Sequence, residues 1–400
     1  MGVDLAVIET HPVQYHAPVY RALQKQFCVN VTAIYGSDFS IVGYHDAEFG
    51  ATFRWDTDLV SGYDAVFLSR VAQGGARSVE EVTTHGLSGV LQRLKPRAVL
   101  LLGYSPRFHR QAFFQARRLK VPLLFRGETT DHARHRGYLK QFARDRFLRW
   151  FYRQFSGLLY VGKRSREHFL RYGVSEEKLY FSPYCVDTNP FDLGEESRIR
   201  YRKAVRGNLR LAEDEAVLLF SGKLSPRKAP DLLVRAVKDM APGMRKRIVL
   251  IFLGDGPMRG ELERFSQTDP EVKAHFLGFQ NQTHLSRYYH AADLLILPSQ
   301  EWETWGLVVN EAMHHGLPCV VSDRVGCAPD LIEEGRTGEL FEAGSVLSLR
   351  QAIERAMGLV GREDVRALCH KKVSGYTVER AAEGLARAFQ DVVERRERRT

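Results

Sequence analysis

At 400 residues, 44% apolar and 26% charged, the chain is long for a single core and has the composition of a soluble globular protein, which favours two domains. No apolar run approaches the roughly 20 residues that span a bilayer, and MGVDLAVIE has an acid where a signal peptide has basic residues and lacks the Ser or Thr of a myristoylation signal, so a cytoplasmic location is expected. A net charge of +10 points to anionic partners, whether nucleotide phosphates, nucleic acid or an acidic lipid surface, without choosing among them.

Short apolar runs alternate with helix-period stretches along the whole chain. In the first half LAVIE, VTAIY, AVLLLG, PLLFRG, GLLYVG and KLYFSP read as strands, with helical patterns such as FHRQAFFQARRLK between them. In the second half AVLLFSG, RIVLIFLG, HFLGF, LLILPS, PCVVSD and GELFEA do the same. Such alternation predicts an α/β protein with parallel sheets covered by helices. Pro183 and Pro190 interrupt any helix in SPYCVDTNPFD, so two Rossmann-like domains, residues 1–188 and 189–375, are expected to face a cleft between them. The segment 376–400 follows, with a helix over about 377–396 whose stripe of Val378, Ala382, Leu385, Phe389 and Val393 is expected to pack back toward the first domain before a basic tail. The five cysteines, Cys28, Cys185, Cys319, Cys327 and Cys369, lie far apart without CxxC spacing and suggest neither a disulfide framework nor a zinc site.

Two features of the first half stand apart. DTD, with Asp56 and Asp58, resembles a metal-holding acid pair, but it follows no buried strand and is read as a surface loop. Residues 138–155 put Leu139, Phe142, Ala143, Phe147, Trp150 and Phe151 on one helical stripe, with Lys140, Arg144, Arg149 and Arg153 largely off it. Such a helix either lies on an anionic membrane surface, peripheral to the inner face, or is half-buried in the first domain.

Ligands of open parallel sheets sit outside the carboxyl ends of the strands, so the loops after strands are where a site is expected. KLSPRKAP sets Lys223 and Lys228 beside Gly222, a combination suited to a diphosphate, or a solvated basic turn. EWETWGLVVNE places Glu303 and Glu311 around Gly306, where a helix begins. The helix start would attract an anion and the acids would repel it. Sugar hydroxyls facing the acids and phosphates facing the helix start reconcile the two, since eight residues of helix span at most about 12 Å. A glycosidase would hold its carboxylates roughly 5 to 9.5 Å apart across one bond, and no second acid pair supports one. GDGPMRG mimics a dinucleotide fingerprint but has Pro257 early in its helix and no acid about 20 residues on at a strand end.

SGKLSPRKAP, FLGDGP, FLGFQNQ, ADLLILPSQEWETWGLVVNEAMHHGLPCVVSDRVGCAPDLI and GRTGELF together resemble the donor domain of retaining GT-B glycosyltransferases of the family 4 type, which include glycogen synthases and mannosyltransferases of cell-envelope assembly. Glu303 and Glu311 match that family's spacing of two glutamates around seven residues, and the likeness runs over about residues 180–345. The resemblance implies that Lys223 and Lys228 bind the donor pyrophosphate, although Lys223 stands where many members have Arg and so keeps the charge without the bidentate fork. It implies that Glu303 touches the sugar, that Thr304, Trp305, Gly306 and Leu307 offer backbone to sugar and phosphate, that Glu311 holds the ribose, and that Phe279 lies near the base, with Gly222 and Gly254 in the donor loops. Catalysis would fall to Glu303, Lys223 and Lys228. The first domain departs from the pattern: HPVQYH replaces a Gly-rich loop, leaving His11, Gln14, Tyr15 and His16 as acceptor ligands or as capping and packing residues. Arg126 and Glu128 stand where many members have a cleft histidine, and Tyr104 is a further cleft candidate.

Retaining transfer of a sugar from a nucleotide diphosphate sugar, a UDP-sugar in the first instance, to a hydroxyl of a polysaccharide, glycolipid or small molecule is therefore expected, with no metal or other cofactor and no nucleic-acid partner. No general base stands out, as would follow if the departing phosphate took the acceptor's proton. A nucleotide-sugar epimerase or phosphorylase on the same fold, or a non-catalytic basic protein that binds nucleic acid or an anionic surface, are the alternatives.

Overall fold

Apolar runs of three to six residues, bounded by glycine, proline or polar residues, are too short for stable helices and form strands instead. In a computed structural model, which describes residues 2–46, 51–128, 131, 138–268 and 271–398, the first half holds β1 (Leu5–Glu9), β2 (Val31–Tyr35), β3 (Tyr44–Asp46), β4 (Ala51–Phe53), β5 (Asp64–Phe67), β6 (Ala98–Leu102), β7 (Leu123–Gly127), β8 (Gly157–Tyr160) and β9 (Leu179–Phe181). The second half holds β10 (Ala216–Ser221), β11 (Ile248–Leu253), β12 (Lys273–Phe276), β13 (Leu294–Leu297), β14 (Cys319–Ser322) and β15 (Gly338–Phe341). β3 and β4 form a small antiparallel hairpin.

The other strands make two parallel sheets, seven strands in the order β5-β2-β1-β6-β7-β8-β9 and six in the order β12-β11-β10-β13-β14-β15. Both are α/β sheets of Rossmann type, the fold class that the alternation of elements predicts. Their inner strands are buried on both faces, as parallel strands under helices must be, while the edge strands β5 and β12 are only partly covered. Ile8, Leu101 and Phe125 point into one core of the first domain, while Val7, Leu100 and Leu124 point into the other. In each sheet the chain runs outward from a central strand and then resumes on its other side, between β1 and β6 in the first and between β10 and β13 in the second. Crevices open at such reversals. The loops that follow β1, β6, β10 and β13 therefore line the two crevices.

The last helix, Val378–Glu397, begins at Thr377, whose side chain accepts from the Arg380 N–H. Its stripe of Ala382, Leu385, Phe389 and Val393 is buried together with Leu5, Val7, Tyr20 and Leu159 of the first domain. Full burial of each large apolar side chain there contributes roughly 1.5–3 kcal/mol. Gly384 permits the approach: a Cβ at this position would lie 1.7 Å from the carbonyl oxygen of Phe181.

The helix Tyr138–Tyr152 turns a different arc inward from the one its stripe suggests. Leu148, Phe151, Tyr152 and the following Phe155 are core residues packed with Phe113 and Phe125. The expected stripe is split: Phe151 is 2% exposed, whereas Phe142, Phe147 and Trp150 are 56, 36 and 40% exposed. Ala143, Arg149 and Arg153 face outward with them, and the side chains of Leu139 and Lys140 lie outside the described residues. Among the described residues no helix is long and apolar enough to cross a membrane.

Candidate active site in the interdomain cleft

The second domain's crevice is built from the ends of β10 and β13. Lys228, in the loop after β10, forms an ion pair with Glu303, in the loop after β13. Ser299 also donates to the Glu303 carboxylate, at 2.8 Å. Burial on its own would raise the Glu303 carboxyl, but Lys228, Ser299 and Arg227 outweigh it and hold the group below its ordinary value. Glu303 is therefore an anion matched by a cation. Lys223 and Gly222 share this loop and are partly exposed.

Two glycines shape the backbone here. Gly306 has φ +100°, and a Cβ on it would approach Val325 at 2.9 Å and Leu297 at 3.0 Å. It caps the start of the helix Leu307–His314, whose first N–H groups have no partner within the helix. Gly254 has φ +132°, and its Cβ would fall 1.9 Å from the Gly222 carbonyl oxygen. The glycine in GDGPMRG thus serves the close packing of two strand ends. The EWETWG loop is pinned from behind, since Gly326 donates to the Glu303 carbonyl at 2.9 Å and Cys327 to the Trp305 carbonyl at 2.8 Å. Trp305 itself is buried, its indole donating to Asn310 at 2.8 Å, so only its backbone faces the crevice loop. Thr304 points the other way, donating to Glu128 of the first domain at 2.9 Å.

Glu311 lies deeper, 3% exposed. It accepts from the Tyr289 hydroxyl at 2.7 Å, and the hydroxyl of Tyr15, from the loop after β1, is directed at it as well. Burial pushes its carboxyl up to about 7, with the two tyrosine bonds pulling the other way. Phe279 meets Trp55 of the first domain edge to face, with ring centroids 6.2 Å apart. Asp56 accepts from the Thr283 hydroxyl at 2.6 Å, and Asp58 accepts from the N–H groups of Val60 and Ser61, so DTD is a surface loop that touches the second domain.

Across the cleft, a cavity of about 450 Å³ is lined by His16, Tyr104, Arg126, Glu128, Trp302 and Thr304, with Arg144 and Tyr184 beside them. Sequence-expected candidates from both domains meet there, but not all of them. His11 turns into the first domain, its ring centroid 4.5 Å from that of Phe39 and its pKa lowered to about 4 by burial. Of the two alternatives for His11, packing is the one the structure adopts. Gln14 is 6% exposed and lies against the Tyr15 hydroxyl, outside the cavity lining. Arg126 is 5% exposed; it donates to the Pro183 carbonyl at 2.8 Å and lies over the Tyr184 ring at 5.1 Å. It thus anchors the linker between domains as well as lining the cavity. A larger space of about 790 Å³, around Thr84 and Gln111, lies outside the cleft and holds none of these residues.

Sequence reading missed several residues here. Glu9, the last residue of β1, is 3% exposed and accepts from the Tyr20 hydroxyl and from His16. An acid closing the apolar strand LAVIE was the available signal. Trp302 is 45% exposed with φ +61°, an uncommon conformation for a bulky residue. Arg144 is positioned by the Tyr172 hydroxyl at 3.0 Å. Nothing local in the sequence marked either one.

Residues 202–360 match the family described as Glycosyl transferases group 1. A D-inositol 3-phosphate glycosyltransferase of Geodermatophilus obscurus is 33% identical over 233 residues, 56% of this chain and 49% of that protein. Its counterpart in Nocardia farcinica is 29% identical over 228 residues, 54% of this chain and 48% of that protein. The chain thus spans about half the length of the curated relatives it matches. Among solved structures, a sucrose-phosphate synthase from Thermosynechococcus elongatus superposes with a TM-score of 0.72 at 17% identity, over 98% of this chain and 100% of the other. An Anabaena protein, HepE, in complex with UDP and glucose gives 0.68 at 15% identity, over 97% and 100%. At these identities the likeness is one of fold, two facing Rossmann-like domains of the GT-B type.

Proposed function

We propose that this chain, whose residues 202–360 match the family described as Glycosyl transferases group 1, transfers a sugar from a nucleotide diphosphate sugar, most simply a UDP-sugar, to a hydroxyl of an acceptor seated in the interdomain cleft. The observation that carries the proposal is the Lys228 to Glu303 ion pair, set beside the helix start at Gly306 and between the two strand ends where the sheet's direction reverses. An arriving diphosphate draws Lys228 away from Glu303, and the freed carboxylate turns to sugar hydroxyls, each such bond contributing roughly 1.5–3 kcal/mol. As the bond from the anomeric carbon to phosphate breaks, charge grows on the leaving oxygen, and Lys223, Lys228 and the N–H groups after Gly306 meet it. These cations do the work a metal does elsewhere, so transfer proceeds in the presence of EDTA. Anomeric configuration is retained, the acceptor entering on the face the phosphate leaves. The relatives' names, D-inositol 3-phosphate glycosyltransferases, support a small polyol or its phosphate as the acceptor.

The test is a thermal-shift screen of UDP, GDP and ADP and their glucose and mannose derivatives, followed by nuclear magnetic resonance of the anomeric proton in the product. A nucleotide at 100 times its Kd adds roughly 2.7 kcal/mol of stability. No shift with any of them, or a product of opposite anomeric configuration, would overturn the respective part of the proposal.

A specific observation supports the further reading that an anionic membrane surface is a partner. Phe114, Phe142, Phe147 and Trp150 are exposed together on the first domain, with Arg146, Arg149 and Arg153 between them. Aromatic rings set among arginines suit the headgroup region.

A further inference from the structure

We propose that His16, oriented by Glu9, accepts the proton of the acceptor hydroxyl during transfer; this rests on the glycosyl-transfer reading and assigns within it a role that the donor-side residues leave unfilled. Glu9 ends β1 at the first domain's crevice, where its buried carboxylate accepts from Tyr20 on one oxygen and from His16 Nδ1, at 3.2 Å, on the other. A buried carboxylate is stable only when paired in this way. The bond keeps the proton on Nδ1 and the lone pair on Nε2. Among the described residues no partner takes Nε2. The His16 ring lies 6.2 Å from the Tyr184 ring with the planes within 4° of each other, and it lines the same cavity as Trp302 and Thr304, the residues flanking Glu303.

The contrast with neighbouring histidines sharpens the assignment. His109 is buried in the first domain's core and His11, half-buried, packs its ring on Phe39, and burial holds each at about 4. Neither is among the residues that line this cavity. Of the three, His16 alone joins a carboxylate on one side to open space on the other.

The step balances as follows. The acceptor O–H bond breaks and its proton passes to His16 Nε2, while the oxygen's electron pair forms the bond to the anomeric carbon. The bond from that carbon to the phosphate oxygen breaks, and its pair leaves on the nucleoside diphosphate, where Lys223 and Lys228 receive the charge. The imidazolium is held by Glu9 until water takes the proton. Because the proton comes from the acceptor, the step places no demand on which face of the sugar is attacked. Glu9 acts through His16 and is a positioning residue.

The test uses the full chain with UDP-glucose as the probe, following UDP release with water or myo-inositol as acceptor, and UDP binding by calorimetry. General base catalysis contributes typically 10²–10⁴-fold, so His16→Ala is expected to slow release at least about 100-fold while UDP affinity stays within about twofold, and free imidazole restores part of the rate. Glu9→Gln is expected to move the acid limb of the pH profile to lower pH, since a carboxylate that favours imidazolium is gone. Other groups face this ring: Tyr20 on its own helix, Arg126 and Glu128 at the end of β7, Tyr184 in the linker, and His11 and His109. A limb that His16→Gln abolishes and Glu9→Gln shifts is assigned to His16 rather than to any of these. Undiminished release by His16→Ala, or a loss with no imidazole rescue and an unmoved Glu9→Gln profile, would overturn the proposal. Failure of the wild-type chain to bind UDP or to release it would instead overturn the glycosyl-transfer reading and the dyad with it.

Discussion

Tyr15 and Glu311 face each other across the domain boundary, the hydroxyl of a first-domain loop directed at a second-domain carboxylate that also accepts from Tyr289 at 2.7 Å. Burial raises this carboxyl to about 7, whereas an unfolded glutamate titrates near 4.3. The folded state therefore binds the proton more tightly. The associated stability is fully present below about pH 4.3 and is lost as pH rises through about 7, on the order of 3 kcal/mol in all. Glu311→Gln keeps an acceptor for both tyrosines and is expected to flatten that slope. Urea midpoints at pH 4.5, 6 and 8 read it; an unchanged slope would assign the titration elsewhere.

Lys228→Ala removes charge from the leaving-group side and is expected to lower kcat by about 10²–10³. It also strands Glu303 as a buried charge, at a cost of about 3 kcal/mol in stability. The double variant Lys228→Ala with Glu303→Gln recovers the stability but not the turnover. If Lys228→Ala raised only the donor KM and left kcat intact, the charge-stabilising role would be wrong.

Gly306→Ala forces a side chain into φ +100° and against Val325 and Leu297. A loss of about 1–3 kcal/mol is expected from the backbone alone, with weaker nucleotide binding because the helix start shifts. Denaturant midpoints with and without UDP separate the two effects.

Gly384→Ala tests whether the last helix belongs to the first domain. Its Cβ would overlap the Phe181 carbonyl, and a loss of at least about 1–3 kcal/mol is expected. Gly358, around which an added Cβ meets nothing within 4 Å, serves as the control for glycine replacement in the second domain.

Phe142→Ala combined with Trp150→Ala should lower stability only modestly, since the side chains are 56 and 40% exposed and Trp150 alone reaches the core, meeting Phe113 edge to face. Binding to vesicles rich in phosphatidylserine is expected to fall at least tenfold, and in the wild type to weaken as salt rises. Co-sedimentation that is absent for the wild type would remove the membrane from the partners.

Local chemistry made much of this protein legible before any fold was known. Strand and helix periods are properties of neighbouring residues, so the alternation of elements and the two-domain α/β class follow from them, the GT-B expectation came from the resemblance of the donor-domain motifs, and the loops after β10 and β13 were marked by lysines, glycine and glutamates a few residues apart. What the tertiary structure decided are contacts between residues distant in the chain. HPVQYH contains two histidines with the same sequence credentials; only the packing of Phe39 on one and the placing of Glu9 beside the other turns His11 onto Phe39 and His16 into the cleft. Arg126 reads as a loop-end cation, yet the linker carbonyl 57 positions away makes it an interdomain anchor. The stripe along 138–155 fixed that one arc is apolar, but which arc meets the core depends on where Phe113 and Phe125 stand, and Phe151 went inward accordingly. Periodicity encodes a face; only the close packing of partners across the fold determines what that face, or a side chain at its edge, will touch.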